Sequence, residues 1–108
     1  MSGPLGEFEQ LVLFALSRLG DQAYGVSVRH DIETETGRRI SSGAVYTTLD
    51  RLRARGLVSS RWGEPTAERG GRRKRLYRLE PDGERALART YDALRRMAAG
   101  FAPKAETP

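Results

Sequence analysis

At Gly56 the hydrophobic period of this 108-residue chain changes. Before that residue, apolar side chains recur every three to four positions, as they do along one face of a helix. After it come two short runs, GLVSSRWGE and RKRLYRLE, which are partly alternating and rich in Val, Leu, Trp and Tyr. That pattern predicts strands. The segment between them, PTAERGGR, is turn and loop material. The chain therefore reads as helices first, then one hairpin with a long basic tip, then a last helical stretch.

Residues 5–19 predict the first helix, with Leu5, Phe8, Leu11, Val12, Ala15, Leu16 and Leu19 on one face and Gly20 as a stop. Leu13 and Phe14 lie off that face, and two large apolar neighbours there suggest a second buried face against another subunit. Residues 24–36 predict a second helix through the Tyr24, Val28, Ile32 stripe, closed by Gly37. The link GDQA is short, so these helices pack as neighbours. Residues 41–55 predict a third, capped by Ser41 or Ser42, with Val45, Leu49 and Leu52 as its apolar stripe. Residues 81–100 predict a fourth. Pro81 suits the first helical position, and Asp82 and Glu84 suit the positive end of the dipole. Leu87, Leu94 and Phe101 fall at heptad spacing with Met97 among them, widened by Tyr91 and Ala98. This fragment suggests pairing with another helix. Residues 102–108 read as a disordered tail.

The balance of the chain limits its chemistry. Hydrophobic residues make up 38% and charged residues 31%. That is enough for a modest core, to which a second chain could add burial. With no cysteine, neither a disulfide framework nor a thiolate metal site can form. His30 stands alone among charged residues and reads as a surface side chain rather than a ligand. No cofactor is implied. RGG lacks the Lys-Ser/Thr pair of a phosphate loop. The carboxylates Glu33, Glu35 and Glu80 have no paired partner in an apolar run, so an enzyme is not expected. No stretch is apolar enough to span a membrane, and the acidic start lacks the order of a signal peptide. These readings place the protein in the cytoplasm. A net charge of +5 permits a polyanionic partner.

Three helices followed by a hairpin is the order of a winged helix-turn-helix. The expected fold is mainly α with a small β-hairpin. Residues 5–80 form the DNA-binding unit and residues 81–101 a C-terminal dimerisation helix. The third helix then becomes the reader. Opposite its apolar stripe and in its first turn it offers Ser42, Gly43, Tyr46, Thr47 and Arg51, which suit base edges and phosphates. Asp50 argues against phosphate at its own position and suits an arginine partner. The hairpin tip offers Arg69, Arg72, Arg73, Lys74 and Arg75 to the DNA backbone or minor groove, with Gly70 and Gly71 letting the tip turn. Leu76, Tyr77, Leu79 and Trp62 are expected to anchor the wing to the helices.

LVLFALSRLGDQAYGVSVRHDIE, SSGAVYTTLDRLRARGLVSS and ERGGRRKRLYRLEPDGERAL together resemble the PadR family of transcriptional regulators, from about Leu5 to Met97. The resemblance implies a dimeric regulator, usually a repressor, that binds double-stranded DNA, and a two-fold dimer is expected to read an inverted-repeat operator. It implies a homodimer built by the C-terminal helix against the first helix of a partner. Leu13, Phe14, Leu87, Tyr91, Leu94, Met97 and Phe101 are the residues this assigns to the interface. By position, Ser42, Gly43, Tyr46, Thr47 and Arg51 match the family's recognition helix, and Arg72, Arg73 and Lys74 its wing. The chain departs from the family at Glu80, which stands before Pro81 where Thr is frequent and caps more weakly. Some compact members hold flat drugs between interface tryptophans, whereas the single tryptophan here falls in the wing, so no effector is assigned.

Two rivals share the net charge. A small RNA-binding protein would display exposed aromatics for stacking, and Tyr24, Trp62 and Tyr77 read as core positions instead. A winged-helix protein-interaction module leaves the basic tip unexplained.

Overall fold

The computed structural model describes residues 3–65 and 73–103, and the elements follow the expected order. They are α1 (Glu7–Leu19), a single 3-10 turn (Gly20–Gln22), α2 (Gly25–Thr36), α3 (Ser42–Ala54), β1 (Val58–Trp62), β2 (Arg75–Leu79) and α4 (Pro81–Met97). Arg69, Arg72, Gly70, Gly71 and residues 104–108 of the expected tail lie outside the described residues.

Local chemistry sets the ends. The Gly6 N–H donates to Glu9 Oε1 at 2.9 Å, so α1 starts two residues later than its apolar pattern, and Leu5 packs into the core ahead of it. At α2 the Tyr24 N–H donates to Ser27 Oγ at 3.0 Å, and Gly37 closes the helix at φ 72° with its N–H on the Glu33 carbonyl. That left-handed geometry favours glycine. Ser41 caps α3 by accepting from the Ala44 N–H at 3.0 Å. Glu80 makes no side-chain cap for α4. Its carboxylate accepts from Ser59 Oγ at 2.8 Å instead.

The core is one cluster in which Val12, Val28, Val45, Leu49 and Leu52 are fully buried. Each comes from the stripe its helix predicted. β1 and β2 pair antiparallel, with Val58 opposite Leu79 and Trp62 opposite Arg75. A two-stranded ribbon alone is marginal in water, and this one is tied down at its base. The Tyr77 N–H donates to the Ala23 carbonyl at 2.9 Å, Tyr24 bridges Leu76, and the Glu80 N–H donates to the Leu57 carbonyl. Tyr77 is buried, and Leu76 and Leu79 are half-buried against the helices. A partly buried ion pair between Arg55 and Glu9, 3.2 Å apart, joins the end of α3 to the start of α1.

Three expectations change. Leu13 is 0% exposed within this single chain, and Leu87 is also buried. Leu13 has no surface left for another subunit, because α1 is surrounded by α2, α3, β2 and α4 rather than covered on one side, whereas Leu87 still borders a surface recess with Phe14 and Tyr91. Trp62 does not anchor the wing: it is 59% exposed at the end of β1, beyond the reach of the core. Finally, α4 ends at Met97, so Phe101 lies past the helix and continues no heptad.

Candidate nucleic-acid interface

Because Val45, Leu49 and Leu52 face the core, the opposite side of α3 must face outward. Ser42, Gly43, Tyr46, Thr47 and Arg51 are all exposed on it. Gly43 has open space where a side chain would stand, with only Ser41 Oγ at 4.0 Å, so the surrounding protein does not require a glycine there. Asp50 pairs loosely with Arg53 at 3.8 Å.

The first turn of α3 is held from α2. Arg29 Nη1 donates to Ser42 Oγ at 3.1 Å. Its Nε lies 3.7 Å from Glu33 Oε2, an oxygen that also accepts from the Ile40 N–H at 3.0 Å. With Arg29 donating to its oxygen, the Ser42 hydroxyl keeps its own proton for an outside acceptor. Neither Arg29 nor Glu33 stands out in the sequence as a residue of this interface. Their i, i+4 spacing was the available signal, but it does not reveal that the pair reaches across to the next helix.

The wing divides its cations. Arg75 is half-buried. It donates to Ser60 Oγ through Nε at 3.2 Å and Nη2 at 3.1 Å, and its guanidinium lies 5.8 Å from both the Trp62 and Tyr77 ring centroids. Arg73 and Lys74 are exposed. Arg73 Nε is anchored on the Gly63 carbonyl at 3.1 Å, and Lys74 Nζ stands 4.4 Å over the Tyr24 ring. Arg61 and Arg78 are also exposed, on the face of the ribbon opposite Trp62 and Arg75. Burial raises the Tyr77 phenol above its ordinary pKa, with the Arg75 charge opposing.

Between α3 and the wing is an open cleft of about 390 Å³, where Tyr46 and Asp50 face Trp62, Arg73 and Lys74. A reading helix and a basic hairpin thus border one recess. Among the described residues, no group of three His, Cys, Asp or Glu side chains is arranged to hold a metal, and no helix is long and apolar enough to cross a membrane.

The model of the transcriptional regulator PadR-like family matches residues 12–89. The chain belongs to that family. The PadR-like match runs from the middle of α1 to the middle of α4 and includes every wing and α3 residue named above. The chain is similar to the transcriptional regulator Rv3488 of Mycobacterium tuberculosis, at 40% identity over 62 residues. That match covers 57% of this chain and 54% of the relative, so the chain spans about half the length of the curated relative it matches. Among solved structures, it is similar to a PadR family transcriptional regulator from Eggerthella lenta, with 25% identity and a TM-score of 0.65, covering 87% of this chain and 81% of the other. A PadR-like transcriptional regulator from Bacillus cereus shares the fold at 17% identity and a TM-score of 0.68, over 85% and 84% of the two chains. The mainly α, winged helix-turn-helix architecture expected from the order of elements is the PadR-like one.

Proposed function

We propose that this PadR-like regulator is a sequence-specific repressor that binds double-stranded DNA as a homodimer, with α3 in the major groove and the wing along the backbone. The observation that carries the reading is the shared face. The polar side of α3 and the exposed Arg73 and Lys74 border one cleft. Helix side chains read base edges, and the cations neutralise phosphates without regard to sequence.

The homodimer is supported by apolar surface that this chain leaves uncovered. Tyr91, Leu94 and Met97 are exposed along α4, Met97 at 84%, with Phe101 just beyond and Phe14 partly exposed on α1. An apolar stripe of this kind marks an interaction surface. Phe14, Leu87, Tyr91, Leu94, Met97 and Phe101 remain the proposed interface. Two α3 helices related by a two-fold axis would read half-sites about one helical turn apart, hence an inverted-repeat operator. A repressor of this kind works in the cytoplasm, and no effector is assigned.

RNA gains some support from the structure, since Trp62 and Tyr46 are exposed rather than buried. Duplex DNA remains favoured because α3 presents a whole helical face, and the RNA major groove is too narrow for one. Selection on randomised duplexes, followed by competition with RNA in a gel shift, tests both. A two-fold symmetric consensus that Tyr46→Ala or Thr47→Ala changes is the expected outcome. Sites without symmetry, or RNA as the better competitor, would overturn the reading. Replacing Arg73 and Lys74 with Ala should lower the salt slope by about one unit for each phosphate no longer neutralised.

A further inference from the structure

We propose that Trp62 touches DNA directly, its indole packing against the sugars of the strand that passes between α3 and the wing. The inference rests on the DNA reading above and assigns to the interface a residue that neither motif nor family position pointed to.

Trp62 is 59% exposed, while Tyr77, on the same face of the hairpin, is buried. The exposed ring is not at a random place. It lines the same cleft as Tyr46 of the reading helix, together with the exposed cations Arg73 and Lys74 and the half-buried Arg75. A strand whose phosphates sit on Arg73 and Lys74 would bring its sugars to this ring.

The ring is also held in place. Ser60, Trp62, Arg75 and Tyr77 share one face of the ribbon, because Ser60 pairs with Tyr77 and Trp62 with Arg75. Arg75 is fixed by its two hydrogen bonds to Ser60 Oγ and lies 5.8 Å from the Trp62 and Tyr77 centroids. Its guanidinium is therefore a support between two rings, and the roles expected from the sequence are exchanged. Arg75 stabilises the wing, and Trp62 faces the partner. A ring already ordered by its neighbours loses less freedom on binding.

The chain contains a single tryptophan, so its emission reports this position alone. The full-length protein is titrated with sheared duplex DNA of mixed sequence. Binding is followed independently through the anisotropy of a dye on a labelled duplex. Tryptophan emission should change in step with the anisotropy, and acrylamide should quench it less in the complex. Trp62→Ala should weaken binding about ten- to a hundred-fold, the loss expected when a large apolar side chain is no longer buried against its partner. Its salt slope should be unchanged because every phosphate keeps its cation, and Trp62→Phe should retain most of the affinity. Should Trp62→Ala fail to fold, the emission and quenching of the parent protein still decide. Saturated anisotropy with unchanged emission and quenching, or wild-type affinity in folded Trp62→Ala, would sink the inference and leave the DNA reading standing. Absence of any anisotropy change at low salt would instead overturn the DNA reading, and this inference with it.

Discussion

The phenol ring of Tyr46 lies against the backbone of Gly25, the first residue of α2, so closely that any side chain there would overlap it. This fit ties the exposed face of α3 to the start of the neighbouring helix and brings the phenol to the edge of the cleft. Gly25→Ala is expected to push the ring outward. The ring is partly exposed and can move, and alanine gains up to about 1 kcal/mol of helix propensity over glycine. Thermal stability should therefore stay near that of the parent. DNA affinity should fall as far as in Tyr46→Ala, and the double mutant should be no worse than either single change. A mutant cycle measured by gel shift checks this non-additivity.

Arg29 positions Ser42 through one guanidinium nitrogen while another nitrogen faces Glu33. A lysine cannot hold both with one ammonium group. Arg29→Lys and Arg29→Ala should each cost roughly 1 kcal/mol in a urea titration. They should also lower the ratio of operator to mixed-sequence binding, since the first turn of α3 loses its tie. An unchanged ratio would mean that this hydrogen bond is only structural.

Gly83 and Gly43 should respond in opposite directions. A side chain on Gly83 would strike the Leu57 carbonyl and meet Leu79 Cδ1 at 2.8 Å. Backbone cannot yield cheaply, so Gly83→Ala should destabilise the fold by about 1–3 kcal/mol. Gly43 stands in open space within α3. Gly43→Ala should raise stability by up to about 1 kcal/mol through helix propensity. It should lower DNA affinity where the groove approaches that backbone. Melting curves and binding isotherms of the two variants separate the effects.

Leu13 and Leu94 test the division between core and interface. Leu13→Ala removes a fully buried side chain and should cost about 2–5 kcal/mol. Leu94→Glu changes an exposed position on α4. It should shift the protein toward monomer in sedimentation while its helical content is kept. A dimer unaffected by Leu94→Glu would rule out this interface.

Tyr77 gives a pH dependence. Burial holds its phenol above the ordinary value of 10.0, favouring the neutral form in the folded state. Its contribution is therefore complete below that value and is lost as pH rises through the higher folded-state pKa. Unfolding midpoints of the parent should fall above about pH 10. Tyr77→Phe, which cannot ionise, should remove that part of the slope.

The helices were legible from the sequence because their signals are local. A 3.6-residue period, the Ser41 cap, Gly37 and Pro81 each act within one or two turns. The exposed face of α3 was legible for the same reason, since Val45, Leu49 and Leu52 determine by helical geometry where Tyr46 and Thr47 point. The order of three helices and a hairpin, with the strings that resemble PadR regulators, carried the family as well.

What the sequence could not decide was the destination of side chains whose partners are far along the chain. Leu13 and Leu94 are both apolar and helical, and only the packing of α1 within the fold shows that the first is already covered. Arg75 and Trp62 stand opposite one another at the ends of the two strands. Which of them is held and which is exposed depends on strand register, because Ser60 reaches Arg75 only when Trp62 stands opposite it. The tie from Arg29 to Ser42 and the fit of Tyr46 on Gly25 depend likewise on how α2 and α3 meet. The sequence determined the elements and their inward faces, because these arise from interactions within a few residues. The tertiary structure decided which outward side chains are held and which stay free for a partner, because that depends on segments that only folding brings together.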